Sequence, residues 1–285
     1  MRSLTGKLRL CSINTATLGH RAPIDRVIED VARAGFGAVC PWRRDLAEEN
    51  VEATAKHIRD AGLKVSGYCR STYLPAMSQA GLIASIEDNR FAIDQAATLD
   101  AQCFVMVVGS LPTGSRDLAL ARTQVAEGIV KLAEYARSVG VRLALEPLHP
   151  MYAGDRSCLN RIDQALDLLD AIEPYPGATP TLGLAVDVYH VWWDPNLADA
   201  ISRAGQTQRL FAFHVCDWLV PTRDLLTDRG MMGDGVIDIP HVRGLVEAAG
   251  YNGLVEVEIF SETNWWRKDP VATLATCGER LQTMC

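Results

Sequence analysis

Four times in the second half of the chain, a short apolar run ends on a residue that binds metals well. Leu143, Ala144 and Leu145 lead to Glu146 in LALEPLHP; LGLAVDVYH places Asp187 and His190; FAFHVCD places His214 and Asp217; LVEVEIF places Glu256 and Glu258. One such run would be ordinary. Four in order constrain the fold, because parallel strands deliver their C-terminal ends to one rim, where residues distant in sequence assemble a composite site.

The rest of the chain supplies the partners such strands need. An extended run over 8–13 ends at Asn14 and Thr15, and Pro23 then opens a helix with Ile24, Val27, Ile28 and Val31 on one face, closed by Gly35. A second strand over 36–40 ends in Pro41-Trp42-Arg43-Arg44, followed by a helix over 47–60, the Gly62 stop and a third strand over 64–69. A helix over 82–99 precedes a continuous apolar strand over 104–108, as expected where both faces of a parallel sheet are covered. Leu118, Val125, Ile129, Leu132 and Ala136 recur at helical spacing between Asp117 and Gly140. After Glu146 come a helix over 158–173, the rigid loop PYPGATP, and strands over 182–186, 210–213 and 254–257. Eight alternations in about 250 residues predict a (β/α)8 TIM barrel, one domain over residues 1–285 with its core at 8–281. An open doubly wound sheet is the competitor, but no GxGxxG follows the first strand.

Charge and composition exclude several function classes. A net charge of −7 with no Lys/Arg-rich tract argues against a nucleic-acid partner, including a DNA-repair endonuclease. No stretch approaches the roughly 20 apolar residues that cross a bilayer, and the start MRSLTGKLRLCSIN has no signal-like apolar region, so a cytoplasmic location is expected. The eight cysteines form no CxxC pair; Cys11, Cys40, Cys69 and Cys103 fall in strands and read as small core residues.

Glu146, Asp187, His214 and Glu258 together offer three oxygens and one imidazole nitrogen to a divalent ion. Such hard donors suit Mn²⁺ or Mg²⁺, with Zn²⁺ or Co²⁺ also compatible. Converging carboxylates need a cation, since they would otherwise repel and raise one another's pKa. Glu256, two residues from Glu258 on the same strand face, is not excluded as the last ligand.

The motifs LEP at Glu146, DxxH at Asp187 and His190, HVxD at His214 and the closing GYNGLVEVEIFSE resemble the xylose-isomerase-like barrel superfamily, in particular sugar isomerases and epimerases related to ketose 3-epimerases and inositol-catabolism enzymes. The resemblance covers nearly the whole chain. It implies metal ligation by Glu146, Asp187, His214 and Glu258, the last favoured over Glu256 by the VEIFS-like ending. It also implies that Glu146 and Glu258 exchange a proton with a keto sugar, cyclitol or related derivative through an enediolate, and that His190 binds substrate. The alternative reaction is a metal-dependent lyase or dehydratase that eliminates from a keto-inositol or 3-keto-glycoside; a non-catalytic sugar-binding subunit is the reading from a different class. The family places an arginine soon after the strand-seven histidine, where this chain reads CDWLVPTRDLLTDRG; Arg223 and Arg229 are the replacements on offer. His149 adds a candidate for hydrogen bonding or proton transfer. Trp42, Arg43, Tyr68 and Arg70, near other strand ends, suit sugar stacking and hydroxyl contacts. The tryptophan pairs 192–193 and 265–266 are candidates for cavity walls or contacts in a homo-oligomer.

Overall fold

Burial on both faces, rather than alternation of apolar and polar residues, marks the strands of this chain, because each is covered by helices outside and by other strands' side chains within. The computed structural model describes residues 1–46, 51–174 and 179–285. In chain order the strands are β1 (Cys11–Asn14), β2 (Ala38–Cys40), β3 (Lys64–Val65), β4 (Tyr68–Cys69), β5 (Phe104–Met106), β6 (Leu143–Leu145), β7 (Leu182–Asp187), β8 (Leu210–Val215), β9 (Asp217–Trp218), β10 (Arg229–Gly230) and β11 (Val255–Val257). All but β9 and β10 join one parallel sheet in the order β3-β2-β1-β11-β8-β7-β6-β5-β4.

The two ends of that order meet, since β3 and β4 are pieces of one extended run broken at Ser66-Gly67. On one side, the amides of Lys64, Ser66 and Cys69 donate to the carbonyls of Gly37, Val39 and Pro41; on the other, Tyr68 and Ser71 donate to Cys103 and Val105. The nine segments therefore fill eight positions of a closed barrel, and one domain with the expected architecture results.

Side chains sort by the two-residue period of the strands. Leu143, Leu145, Leu184 and Val186 belong to the large apolar layer under the helices, whereas Ala144, Ala185, Ala212, Cys40, Cys69, Cys103, Val105 and Phe211 form a second cluster of mostly small residues. The cysteines expected in the core are all buried and unpaired as disulfides.

Between strands lie α1 (Ile24–Arg33), α2 (Val51–Asp60), α3 (Gln79–Thr98), α4 (Leu118–Val139), α5 (Ile162–Ile172), α6 (Val188–Val191), α7 (Leu197–Gln206), α8 (Ile239–Ala248) and α9 (Pro270–Thr283). The long helix α4 runs between the two signals expected of it: Asp117 accepts from the amide of Leu120, and Gly140 closes the helix at φ +76°, a conformation that costs little only without a Cβ. Among the described residues, no helix is long and apolar enough to cross a membrane.

Some boundaries depart from expectation. Residues Leu8–Leu10 form a 3-10 turn, and the strand begins only at Cys11, because Leu8 turns out of the sheet to pack against α9 at Gly278. The helix expected over 158–173 starts at Ile162; Cys158 and Leu159 are instead buried in a loop whose amide at Cys158 bonds the carbonyl of Gly109. The expected start of the second helix at 47–50 and the middle of the PYPGATP loop at 175–178 lie outside the described residues.

Candidate metal centre and cavity

Glu146 follows β6, Asp187 ends β7, His214 lies in β8 and Glu258 follows β11, four strands that are sheet neighbours. Register then sets depth: Asp187 pairs with His214, and Glu256 with His214, so these side chains start from nearly one level of the barrel. One donor atom from each of Glu146, Asp187, His214 and Glu258 lies within 4.8 Å of the others, and all four residues are buried.

The electrostatics of this cluster fit a divalent cation. Three carboxylates face a single guanidinium, that of Arg229, whose Nη1 donates to Asp187 Oδ2 at 2.8 Å and lies 3.3 Å from Glu258 Oε2. Ionised, the set carries two negative charges in excess, which a divalent ion cancels. Without that ion, burial first and the neighbouring Glu146 second push the Glu258 pKa up to about 8. Burial would raise Asp187 as well, but Arg229, His190 and His214 outweigh it and hold the carboxyl below its ordinary value. Burial opposes the protonated form of His214, yet the charge of Glu256, the hydrogen bond that His214 donates to Glu146, and the charge of Glu258 together raise its pKa well above the usual imidazole range.

His214 turns Nδ1 toward the cluster, 3.1 Å from Glu146 Oε1 and 3.8 Å from Glu258 Oε2. Its Nε2 is buried without a hydrogen-bond partner and faces Glu256 Oε1 at 3.7 Å. Glu256 therefore sits on the far side of the imidazole from the cluster. Ser66 Oγ donates to its Oε2 at 2.7 Å and Asn14 Nδ2 to its Oε1 at 2.9 Å, while the same Asn14 amide reaches Glu258 Oε1 at 3.0 Å. Of the two candidate glutamates, Glu258 is the one with a donor atom in the four-residue cluster.

The cluster forms the floor of a cavity of about 220 Å³, whose walls include Trp42, Tyr73, Tyr152, His190, Arg229, Phe260 and Trp266. His190 is almost wholly buried, and burial lowers its pKa to about 3, which keeps it neutral. The amide of His149 donates to its Nδ1 at 3.2 Å, while its Nε2 lies 3.2 Å from Arg229 Nη2 and 3.6 Å from Asp187 Oδ2. Trp42 is fixed by donation from Nε1 to Asn14 Oδ1 at 2.7 Å. Arg229 reaches the site because β10 pairs antiparallel with β9, folding the long segment after His214 back over the rim. Asp217 anchors that return, its carboxylate accepting from the amides of Trp218, Gly233, Gly235 and Ile237.

Four residues expected near substrate are not among those lining the cavity. The ring of His149 stacks on Trp218 with centroids 5.0 Å apart, and only its backbone serves His190. Arg43 makes a two-pronged bond to Asp88 at 2.9 and 3.0 Å, tying the loop after β2 to α3. Tyr68 is fully buried and donates to Gln95 Oε1 at 3.0 Å, and Arg223 is exposed beside Asp228 at 3.5 Å. Arg70 and Trp42 do line the cavity. His20, Arg44, Tyr73, Tyr152, Arg156 and Phe260 line it too, although no motif pointed to them; they come from loops, where spacing carries no directional information. Of the tryptophan pairs, Trp266 is a wall, Trp265 and Trp192 pack against the core, and Trp193 meets His149 edge-on.

Known proteins resemble this one at several levels. A protein of solved structure from Sinorhizobium meliloti 1021 is 46% identical, with a TM-score of 0.94 over 98% of this chain and 99% of that one. The inosose isomerase of Bacillus velezensis is 25% identical over 162 residues, 56% of this chain and 54% of that protein, so the chain spans about half the length of that relative. The crystal structure of the IOLI protein with a bound zinc atom shares the fold at a TM-score of 0.80, with 18% identity over 95% of this chain and 96% of that one. The family model described as xylose isomerase-like TIM barrel matches residues 28–275, nearly the whole barrel, and the chain belongs to that family.

Proposed function

We propose that this protein is a divalent-metal-dependent isomerase or epimerase of a keto sugar, cyclitol or related derivative, in which Glu146 and Glu258 transfer the proton. The supporting observation is that both glutamates belong to one buried metal-competent cluster and also line the cavity above it. A cavity of about 220 Å³ is smaller than the roughly 300–1,000 Å³ of drug-sized sites, which suits a single sugar ring or open chain.

Glu146, Asp187, His214 and Glu258 would hold the ion, with Mn²⁺ or Mg²⁺ favoured by the oxygen-rich donor set and Zn²⁺ or Co²⁺ compatible with it. When bound, the cation supplies Lewis-acid polarisation of a substrate carbonyl and the adjacent hydroxyl. Glu258 is oriented by Asn14 and Arg229, and Glu146 by His214. One glutamate removes the proton beside the carbonyl and the other returns a proton to the enediolate, on the neighbouring carbon or the opposite face. His190 and the adjoining Arg229 meet a substrate oxygen at the cavity wall, and the aromatic walls exclude water from the exchange. Trp42 and Arg70 line the wall and hold the sugar. The relatedness to inosose isomerase supports an isomerisation on a polyhydroxylated ring.

The test is deuterium exchange from solvent into a panel of keto sugars and inososes, with and without Mn²⁺, followed by mass analysis. Metal-dependent exchange without change of formula, abolished in Glu146→Gln and Glu258→Gln, is the expected result. Loss of water or of an aglycone would assign elimination instead, and exchange that survives both substitutions would remove the glutamate pair from the chemistry.

A further inference from the structure

The charges of the cavity are divided unevenly. At the floor, three carboxylates and Arg229 leave two negative charges that a divalent ion would balance. Toward the mouth, the lining includes Arg44, Arg70 and Arg156, and among the described residues the lining carboxylates are Glu146 and Glu258. In a chain with 35 acidic and 28 basic residues, three arginines gathered at one cavity mouth are not what composition alone supplies.

Two of these arginines, Arg70 and Arg156, pack against aromatic rings. The Arg70 guanidinium carbon lies 4.7 Å from the Tyr73 ring centroid and 6.0 Å from that of Trp42, and its one hydrogen bond is a long one to the Ser71 carbonyl at 3.4 Å. Arg156 lies over Tyr152 at 5.6 Å; its closest carboxylate is the exposed Asp155 at 3.9 Å. Arg44 has no ion pair among the described residues. A guanidinium stacked on an aromatic face keeps its in-plane N–H fork free, the geometry that a carboxylate or phosphate meets with two parallel bonds.

We propose that the substrate carries an anionic group, a carboxylate or a phosphate, at the end away from the carbon that exchanges its proton, and that Arg70 and Arg156, with Arg44 beside them, bind it. This rests on the isomerase reading for which end of the ligand meets the glutamates. Rim and floor line the same small cavity, so one sugar-sized molecule spans both. The polarity follows: keto and hydroxyl groups lie down toward Glu146 and Glu258, and the anion lies up among the arginines.

The experiment is calorimetric binding of D-fructose, D-fructuronate and D-fructose 6-phosphate to the Mn²⁺-loaded protein, and to Arg70→Met, Arg156→Met and Arg156→Lys, without reliance on turnover. At least one anionic ligand is expected to bind tenfold or more tightly than fructose, and whether the uronate or the phosphate does so names the anion. The anionic-to-neutral affinity ratio should fall about tenfold in each Met variant, recover in part in Arg156→Lys, and shrink with added salt. Unchanged thermal unfolding of the variants would exclude a folding defect. Ratios within threefold of one, or unaltered by both Met substitutions, would overturn the proposal. A high ratio with no deuterium exchange in any substrate would sink the isomerase reading and leave the anion site standing; exchange on neutral sugars with a ratio of one would do the reverse.

Discussion

The buried pair between Arg229 and Asp187 gives a demanding test of how the cavity floor is held. Arg229 is 3% exposed and Asp187 not at all, and their 2.8 Å contact is joined by the approach of Arg229 to Glu258 and by the faces of Tyr189 and Phe260 at 4.4 and 4.7 Å. At an effective dielectric of about 20, two unit charges at this separation attract by about 6 kcal/mol before desolvation is counted. Desolvation offsets most of that gain, but removing one partner strands the other as a buried charge, at a cost of about 3–5 kcal/mol. Arg229→Met and Asp187→Asn should each destabilise the metal-free protein by about that much, and the double substitution should cost at least about 2 kcal/mol less than the sum of the two. Urea unfolding in the presence of a chelator, with two probes to verify a single transition, measures this. If the effects add to within about 0.5 kcal/mol, the two groups are not coupled and the account of the floor is wrong.

Three further expectations follow from individual contacts. Tyr68→Phe should cost about 1 kcal/mol through the lost bond to Gln95 and leave sugar binding unaltered, whereas a weakened affinity would return Tyr68 to the substrate site. Burial opposes ionisation of Glu173, but the amides of Leu182 and Thr181 with Arg137 and Arg209 depress its pKa. Its contribution is therefore present above the ordinary value of 4.5 and lost as pH falls through the depressed one, so Glu173→Gln should cost about 1–3 kcal/mol at neutral pH and progressively less as pH falls below 4.5; a pH-independent difference in chemical denaturation would contradict this. Because Glu258 holds a proton up to about 8 in the metal-free protein and the His214 pKa is raised above the usual imidazole range, Mn²⁺ uptake at pH 7 should release protons from both, and apparent affinity should rise by at least about tenfold per pH unit below about 8; flat affinity from pH 6 to 9 would refute it.

The strand ends were readable in the sequence because a strand's burial and direction both follow from local pattern. Glu146, Asp187, His214 and Glu258 each close an apolar run, and a parallel barrel brings such ends together whatever their separation along the chain. The interior role of Glu256 was not readable: it depends on Ser66 and Asn14, polar residues of other strands whose meeting is set by register. Arg229 was one of two arginines in a long segment, and only the β9–β10 pairing distinguishes it from the exposed Arg223. Tyr68 and Arg43 follow the same logic in the opposite sense. Each has the chemistry for sugar binding, but a one-residue step along a strand or a partner such as Asp88 on α3 directs it elsewhere.

The four ligand-bearing strands occupy one continuous arc of the wall, β6, β7, β8 and β11, while Arg44 and Arg70 descend from the arc opposite, after β2 and β4. Apart from Arg156, which follows β6, the arginine rim and the candidate metal cluster thereby lie on different sides of one ring. Loops on the second side can be lengthened, shortened or recharged without shifting a single ion-holding atom on the first, so selection or engineering has a route to new ligands that leaves the proton-transfer apparatus in place.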